Sequence, residues 1–204
     1  MAHPNYIKMH IRTVPELLRD CAETMYQRVK NTLEDEKLEQ TQMVAMTGCG
    51  YSYAAACNGA EFIEKIAGIP ARALYSVDAS RHQSLDVLPK GEQTLFIGVA
   101  RVAEGLMRFR TKGAYAVAFS GDMQSKCARA AQVTVDISTP TVNIERGLPL
   151  RGYAAALLAF CGVAWRIAIL QGRKSEAERL AFYEDLVVSA DELQKTLPEI
   201  EHQV

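Results

Sequence analysis

Apolar residues fall along this chain alternately in short runs and in helical stripes. Leu17, Leu18, Cys21, Met25, Val29 and Leu33 recur at three- and four-residue intervals, which predicts a helix from about Thr13 to Leu33. Thr13-Val14-Pro15-Glu16 suits its first turn, because proline there costs no hydrogen bond. The polar segment Glu34–Gln42 then links to an apolar run, Met43–Met46, read as a first strand. A second helix covers Ser52–Ile66 and stops at Ala67-Gly68-Ile69-Pro70, where glycine ends it and proline blocks a restart. Further strands are expected at Ala71–Val77, Thr94–Val99, Tyr115–Phe119 and Val133–Ile137. Helices are expected at Ala103–Lys112, Gln124–Ala131 and Leu150–Leu170, with Ser125 as a cap.

Alternating strands and helices imply a parallel sheet covered on both faces, an α/β domain. In such sheets ligands sit outside the carboxyl ends of the strands. The turn Thr47-Gly48-Cys49-Gly50-Tyr51-Ser52-Tyr53 lies at one such end. Its glycines allow close backbone approach, and free N–H groups at the helix start favour an anion such as phosphate. After Leu170, the charged run Arg173–Arg179 leads to an amphipathic helix, Leu180–Leu197, expected to end near Pro198. That helix either folds back on the domain or connects to a second domain or a dimer partner. The chain thus divides into an N-terminal helix and linker (1–42), a central domain (43–170) and a C-terminal helix (171–204).

Composition narrows the function. The 204 residues are 49% apolar and carry a formal net charge of −1, enough core for one sizeable domain and no basic excess for nucleic acid or an acidic membrane. Five scattered cysteines form no C-x-x-C pair, which argues against a disulfide framework or zinc knuckle and for a reducing cytoplasm. The N-terminus lacks the pattern of a signal peptide. Tyr153–Leu170 is interrupted by Gly162 and Arg166 and is expected to be a buried helix, not a membrane span. No His/Asp/Glu spacing suggests a metal, and no Rossmann glycine spacing suggests a nucleotide cofactor.

Thr47–Tyr53 followed by Phe62–Pro70 resembles the first half of a sugar isomerase (SIS) domain, most nearly the N-terminal SIS unit of glucosamine-6-phosphate synthase-like proteins and fructosamine-6-phosphate deglycases. Glu145-Arg146-Gly147-Leu148-Pro149-Leu150-Arg151-Gly152-Tyr153 resembles that family's later signature. The resemblance spans about residues 40–170. It implies a three-layer α-β-α sandwich with a five-stranded parallel, flavodoxin-like sheet and extra terminal helices. It also implies a phosphorylated sugar or amino sugar as ligand, no cofactor, and a homodimer in which a second copy completes the site.

The family's roles transfer residue by residue. Ser52, with Gly48, Gly50 and Tyr51 beside it, takes the place of the first phosphate loop. The second, usually Ser-x-Ser-Gly-x-Thr, here reads Ala100-Arg101-Val102-Ala103-Glu104-Gly105 and has lost its hydroxyls. Each lost charge-assisted hydrogen bond is worth roughly 1.5–3 kcal/mol. Arg101 either compensates with a bidentate guanidinium or is a surface residue; Glu104 stands where the family often has glutamate. Glu145 is either an acid–base group or sugar-hydroxyl ligand, or else a helix cap. Glu64 and His82 resemble the acid–base pair of catalytic units, and Ser120 either touches ligand or only shapes a turn. Three functions stay open: a phosphosugar isomerase or deglycase, a non-catalytic phosphosugar sensor or scaffold, and one half of a split tandem enzyme.

Overall fold

A computed structural model describes residues 5–89, 91–100, 102–144 and 150–203. The chain runs α1 (Tyr6–Arg12), α2 (Val14–Thr32), α3 (Asp35–Glu39), β1 (Met43–Gly48), α4 (Tyr51–Phe62), β2 (Ala71–Tyr75), β3 (Thr94–Val99), α5 (Ala103–Thr111), β4 (Tyr115–Ser120), α6 (Lys126–Ala130), β5 (Val133–Asp136), α7 (Leu150–Leu170) and α8 (Glu176–Gln203). π-helical turns follow α4 at Ile63–Ala67 and β2 at Asp78–His82.

The apolar runs become one five-stranded sheet of order β2-β1-β3-β4-β5, parallel throughout. Side chains alternate across it. Val44, Met46, Leu95, Ile97, Val117 and Phe119 meet α2, α4 and α7 on one face. Ala45, Phe96, Ala116 and Ala118 meet α5 and α6 on the other, where Phe96 stacks on Phe109 at 3.7 Å between ring centroids. Burying each large side chain contributes roughly 1.5–3 kcal/mol. This is the expected α-β-α sandwich with additional terminal helices.

Helix α7 is long and apolar enough to cross a membrane by length and composition, but most of it is buried in this core. Small residues bring its neighbours close. A Cβ on Gly59 of α4 would lie 2.6 Å from Phe160, and one on Gly162 would lie 3.3 Å from Val29 of α2.

The expected elements shift in four places. The linker 34–42 holds the short helix α3, nucleated by Leu38, which is fully buried. Strand β1 continues to Gly48, because Thr47 and Gly48 still have partners on β2. Strand β2 ends at Tyr75, and the chain then coils into the π-helical turn. Helix α8 begins earlier, at a capping box in which Ser175 Oγ accepts from the Glu178 N–H and Glu178 accepts from the Ser175 N–H.

That helix also continues through Pro198, correcting the expected stop. Proline removes one amide and strains one turn. Beyond it, Glu201 is held by the guanidinium of Arg12 and by Lys8 Nζ at 2.9 Å, both on α1. These bonds carry the last turn past the proline. Helix α8 itself packs along α2.

The hydrogen bonds from Arg12 and Lys8 outweigh the cost of burial and push the Glu201 carboxyl down to about 2. A depressed carboxyl stabilises the fold above its ordinary range of about 4.3 and loses that contribution as pH falls toward the folded value. Glu201→Gln is therefore expected to lower the melting temperature near neutral pH, with the difference from wild type vanishing as pH falls through that window. A difference constant across the pH series would remove the tether.

Candidate functional site

The switch in connection direction falls between β1 and β3, and the carboxyl ends of the strands around it carry the largest cavity among the described residues. It has a volume of about 820 Å³ and lies on the α5–α6 side, over the ends of β2, β3 and β4. Strand alternation explains its chemistry. Ala45, Leu74, Phe96 and Ala118 face α5 and α6, so the next residues on that face at the carboxyl ends are Thr47, Ser76, Gly98 and Ser120. The sheet thus ends there in small and hydroxyl side chains, not bulky apolar ones.

Four serines line the cavity. Ser76 follows β2, Ser80 sits in the π-helical turn, Ser120 ends β4 and Ser125 caps α6. Ser120 Oγ donates to the Asp122 carbonyl at 2.8 Å and lies 3.2 Å from Ser125 Oγ, while Ser125 Oγ accepts from the Ala128 N–H at 3.1 Å. Ser125 is thus the cap expected from sequence. Arg81 and Lys126 supply positive charge from opposite walls, and Glu104 and Asp122 supply carboxylates. Cys127 closes the floor, 3.9 Å from the Gly98 carbonyl, and burial pushes its thiol up to about 11. It is no nucleophile at neutral pH.

Two features mark the β1 and β3 ends. Ala100, where β3 leaves the sheet into the cavity wall, has φ of 65°, the single positive value among the described non-glycine residues. Such backbone costs of order 1–3 kcal/mol and gathers at functional sites. Thr47 is fully buried at the end of β1, and its hydroxyl has no hydrogen-bond partner among the described residues. Leaving it so costs about 1–3 kcal/mol.

The residues singled out by sequence separate. Glu104, in the first turn of α5, and Ser120 line the cavity. Gly48, Gly50, Tyr51 and Ser52 do not; they form the start of α4, on the opposite face of the sheet. Both glycines have structural causes. A Cβ on Gly48 would collide with the Ser52 backbone, and Gly50 has φ of 54°. Tyr51 is exposed, and Tyr53 beyond it packs edge-on against Tyr75 at 5.3 Å.

Glu64 lies at the far end of the sheet, where its carboxylate accepts from the Ala71 N–H at 3.2 Å, so it is not brought to the cavity. His82 is exposed and borders a smaller hollow behind the π-helical turn, so the two do not meet. Arg101 and Glu145 lie outside the described residues. Sequence reasoning missed Ser76, Ser80, Arg81 and Lys126 as cavity residues. The available signal was positional: each lies just past β2 or β4 at a carboxyl end.

No protein-family model matches the sequence, and no curated protein does. Solved structures match the fold. The C-terminal domain of glucosamine-fructose-6-phosphate aminotransferase from Francisella tularensis superposes with a TM-score of 0.71 at 15% identity, over 93% of this chain and 55% of that one. A Clostridium difficile 630 protein assigned as a phosphosugar isomerase gives 0.67 at 15% identity, over 92% of this chain and 51% of that one. An E. coli CFT073 protein, solved in complex with a sugar phosphate, gives 0.58 at 18% identity, over 86% and 93%. The fold is that of SIS domains. The chain spans about half the length of the first two.

Replacing the orphaned hydroxyl by an isosteric methyl removes its desolvation cost. Thr47→Val is expected to raise the free energy of unfolding by about 1 kcal/mol in urea titration. A loss of stability would mean that the hydroxyl has a partner.

Proposed function

We propose that this chain binds a phosphorylated sugar or amino sugar in the cavity at the carboxyl ends of β2, β3 and β4. The observation carrying this reading is the combination, in one cavity of an SIS fold, of two cations, two carboxylates and a set of serine hydroxyls. Lys126 and Arg81 suit a phosphate, which guanidinium and ammonium groups bind through charge-assisted hydrogen bonds. Glu104 and Asp122 suit sugar hydroxyls, which donate to carboxylates. The free N–H groups at the start of α5 add positive potential to the same wall. The ligand-bound E. coli neighbour supports a sugar phosphate as the ligand class.

Catalysis is a finer claim within this reading. Aldose–ketose isomerisation needs a base beside a carbonyl and a group to move a proton between oxygens. Glu145, from the family signature, is the proposed base, and Glu104 or Asp122 would take hydroxyl protons. A non-catalytic sensor is the second reading, favoured by the loss of hydroxyls from Ala100–Gly105. Because the chain spans about half of the longer matches, a second SIS unit, here another copy of the chain, belongs to the proposal. A cytoplasmic location fits the unpaired cysteines.

Hexose and pentose phosphates are expected to raise the melting temperature of the purified protein. Lys126→Ala and Arg81→Ala should each weaken that binding about tenfold, the loss of one charged hydrogen bond at roughly 1.5–3 kcal/mol. Ser52→Ala should change it little. If Ser52→Ala abolishes binding and Lys126→Ala does not, the ligand lies over the β1–α4 turn and this placement fails. Glu145→Gln should leave binding intact and remove isomerisation in an NMR turnover assay. An isomerase unaffected by that change would dismiss Glu145 as the base.

A further inference from the structure

The wall of the cavity that follows β2 is thin and lightly anchored. From Ser76 to Gln83 the chain forms a strap whose centre is the π-helical turn Asp78–His82, closed by a hydrogen bond from the Gln83 N–H to the Asp78 carbonyl at 2.8 Å. Such turns are rare and concentrate at functional sites. Ser76, Val77, Ser80 and Arg81 face the 820 Å³ cavity in front. Behind lies a second hollow of about 310 Å³, bordered by His82, Gln83, Asp86, Arg108 and Thr111. The strap thus separates two open spaces.

Little holds it there. Its one fully buried side chain in the turn is Ala79, a single methyl set among Ala45, Leu74, Phe96 and Leu106. Val77, Asp78, Arg81 and His82 are exposed. The remaining hold is Arg108 of α5, whose guanidinium donates to the Ala79 carbonyl at 3.0 Å and to the Gln83 carbonyl at 2.5 Å. A planar fork gripping both ends of one turn fixes its position and orientation together. Segments with few buried apolar contacts open at low cost. Thr47 meanwhile is the next residue after Ala45 on the face that Ala79 covers, and its sealed hydroxyl gains a partner once the strap lifts.

We propose that Ser76–Gln83 is a gate over the cavity and that Arg108 is its latch. What the gate admits rests on the sugar-phosphate reading; the latch does not. Opening widens the entrance and exposes the Thr47 hydroxyl to the ligand. Closing brings Ser80 and Arg81 back against it. Arg108 is a positioning residue, since it acts through the strap and does not border the main cavity.

Amide hydrogen exchange on the ligand-free protein tests the latch. In Arg108→Ala, the amides of Ala79–Gln83 should exchange at least tenfold faster than in wild type, with β3 and β4 amides unchanged. Arg108→Lys should fall between, because an ammonium cannot grip two carbonyls as a fork does, and it carries the comparison if the alanine variant does not fold. Unchanged strap exchange, or equal acceleration throughout the sheet, overturns the latch. Fructose 6-phosphate as probe then tests the gate. It should slow strap exchange in wild type and associate faster with Arg108→Ala. Binding that alters neither overturns the gate. Failure of this and other sugar phosphates to bind at all sinks the proposed function, while the ligand-free comparison still decides the latch.

Discussion

The close approach of α7 to α2 and α4 is the constraint on which the remainder of the structure depends. Three helices share one face of a five-stranded sheet, and they fit because the contact positions are alanines and glycines. Ala155, Ala159 and Gly162 on α7, with Ala55, Ala56 and Gly59 on α4, leave room for Phe160 and Tyr26 to fill the gaps. Adding one methylene in such packing typically costs about 1–3 kcal/mol. The seating of α4 in turn sets the Gly48–Gly50 turn, and so the level at which β1 ends beneath the strap.

Loops on this scaffold are tied down in a consistent manner. Arg28 donates to the carbonyls of Asp136 and Ser138, Arg151 to those of Thr13 and Pro140, and Arg173 to those of Ala67 and Gly68. Gln171 gathers three carbonyls around α3. Backbone carbonyls do not titrate, so these ties hold across pH values at which the Glu201 tether is lost. Arg108 belongs to the same set. It differs in that the segment it holds has only a methyl as a second anchor.

Much of the fold was legible because parallel strands buried on both faces read as continuous apolar runs. Thr94–Val99 and Leu150–Leu170 have the boundaries that their sequence suggests. Helix α8 was misjudged at Pro198, since a local rule about proline cannot see Arg12 and Lys8 waiting on another helix. The cavity was legible only in part. Glu104 and Ser120 line it, but the Gly48–Ser52 turn draws the eye to the opposite face. Its glycines answer to chain geometry, and which face a strand end offers depends on parity counted from the core. Ser76, Ser80, Arg81 and Lys126 carry no motif; only the sheet brings them together.

The α2–α7 contact has a consequence for how the chain comes to be folded. Helix α2 lies at residues 14–32 and its apolar face is covered by residues 150–170, with the whole sheet between them in sequence. Pairing this distant in sequence is slow to form, because the loop entropy is spent before the contacts repay it. During synthesis α2 leaves the ribosome with Leu17, Met25, Tyr26 and Val29 bare, and stays so until α7 has been made. While all five strands are being added, the nascent chain is thus open to chaperones and to its own neighbours on the polysome, and folding waits on the arrival of α7.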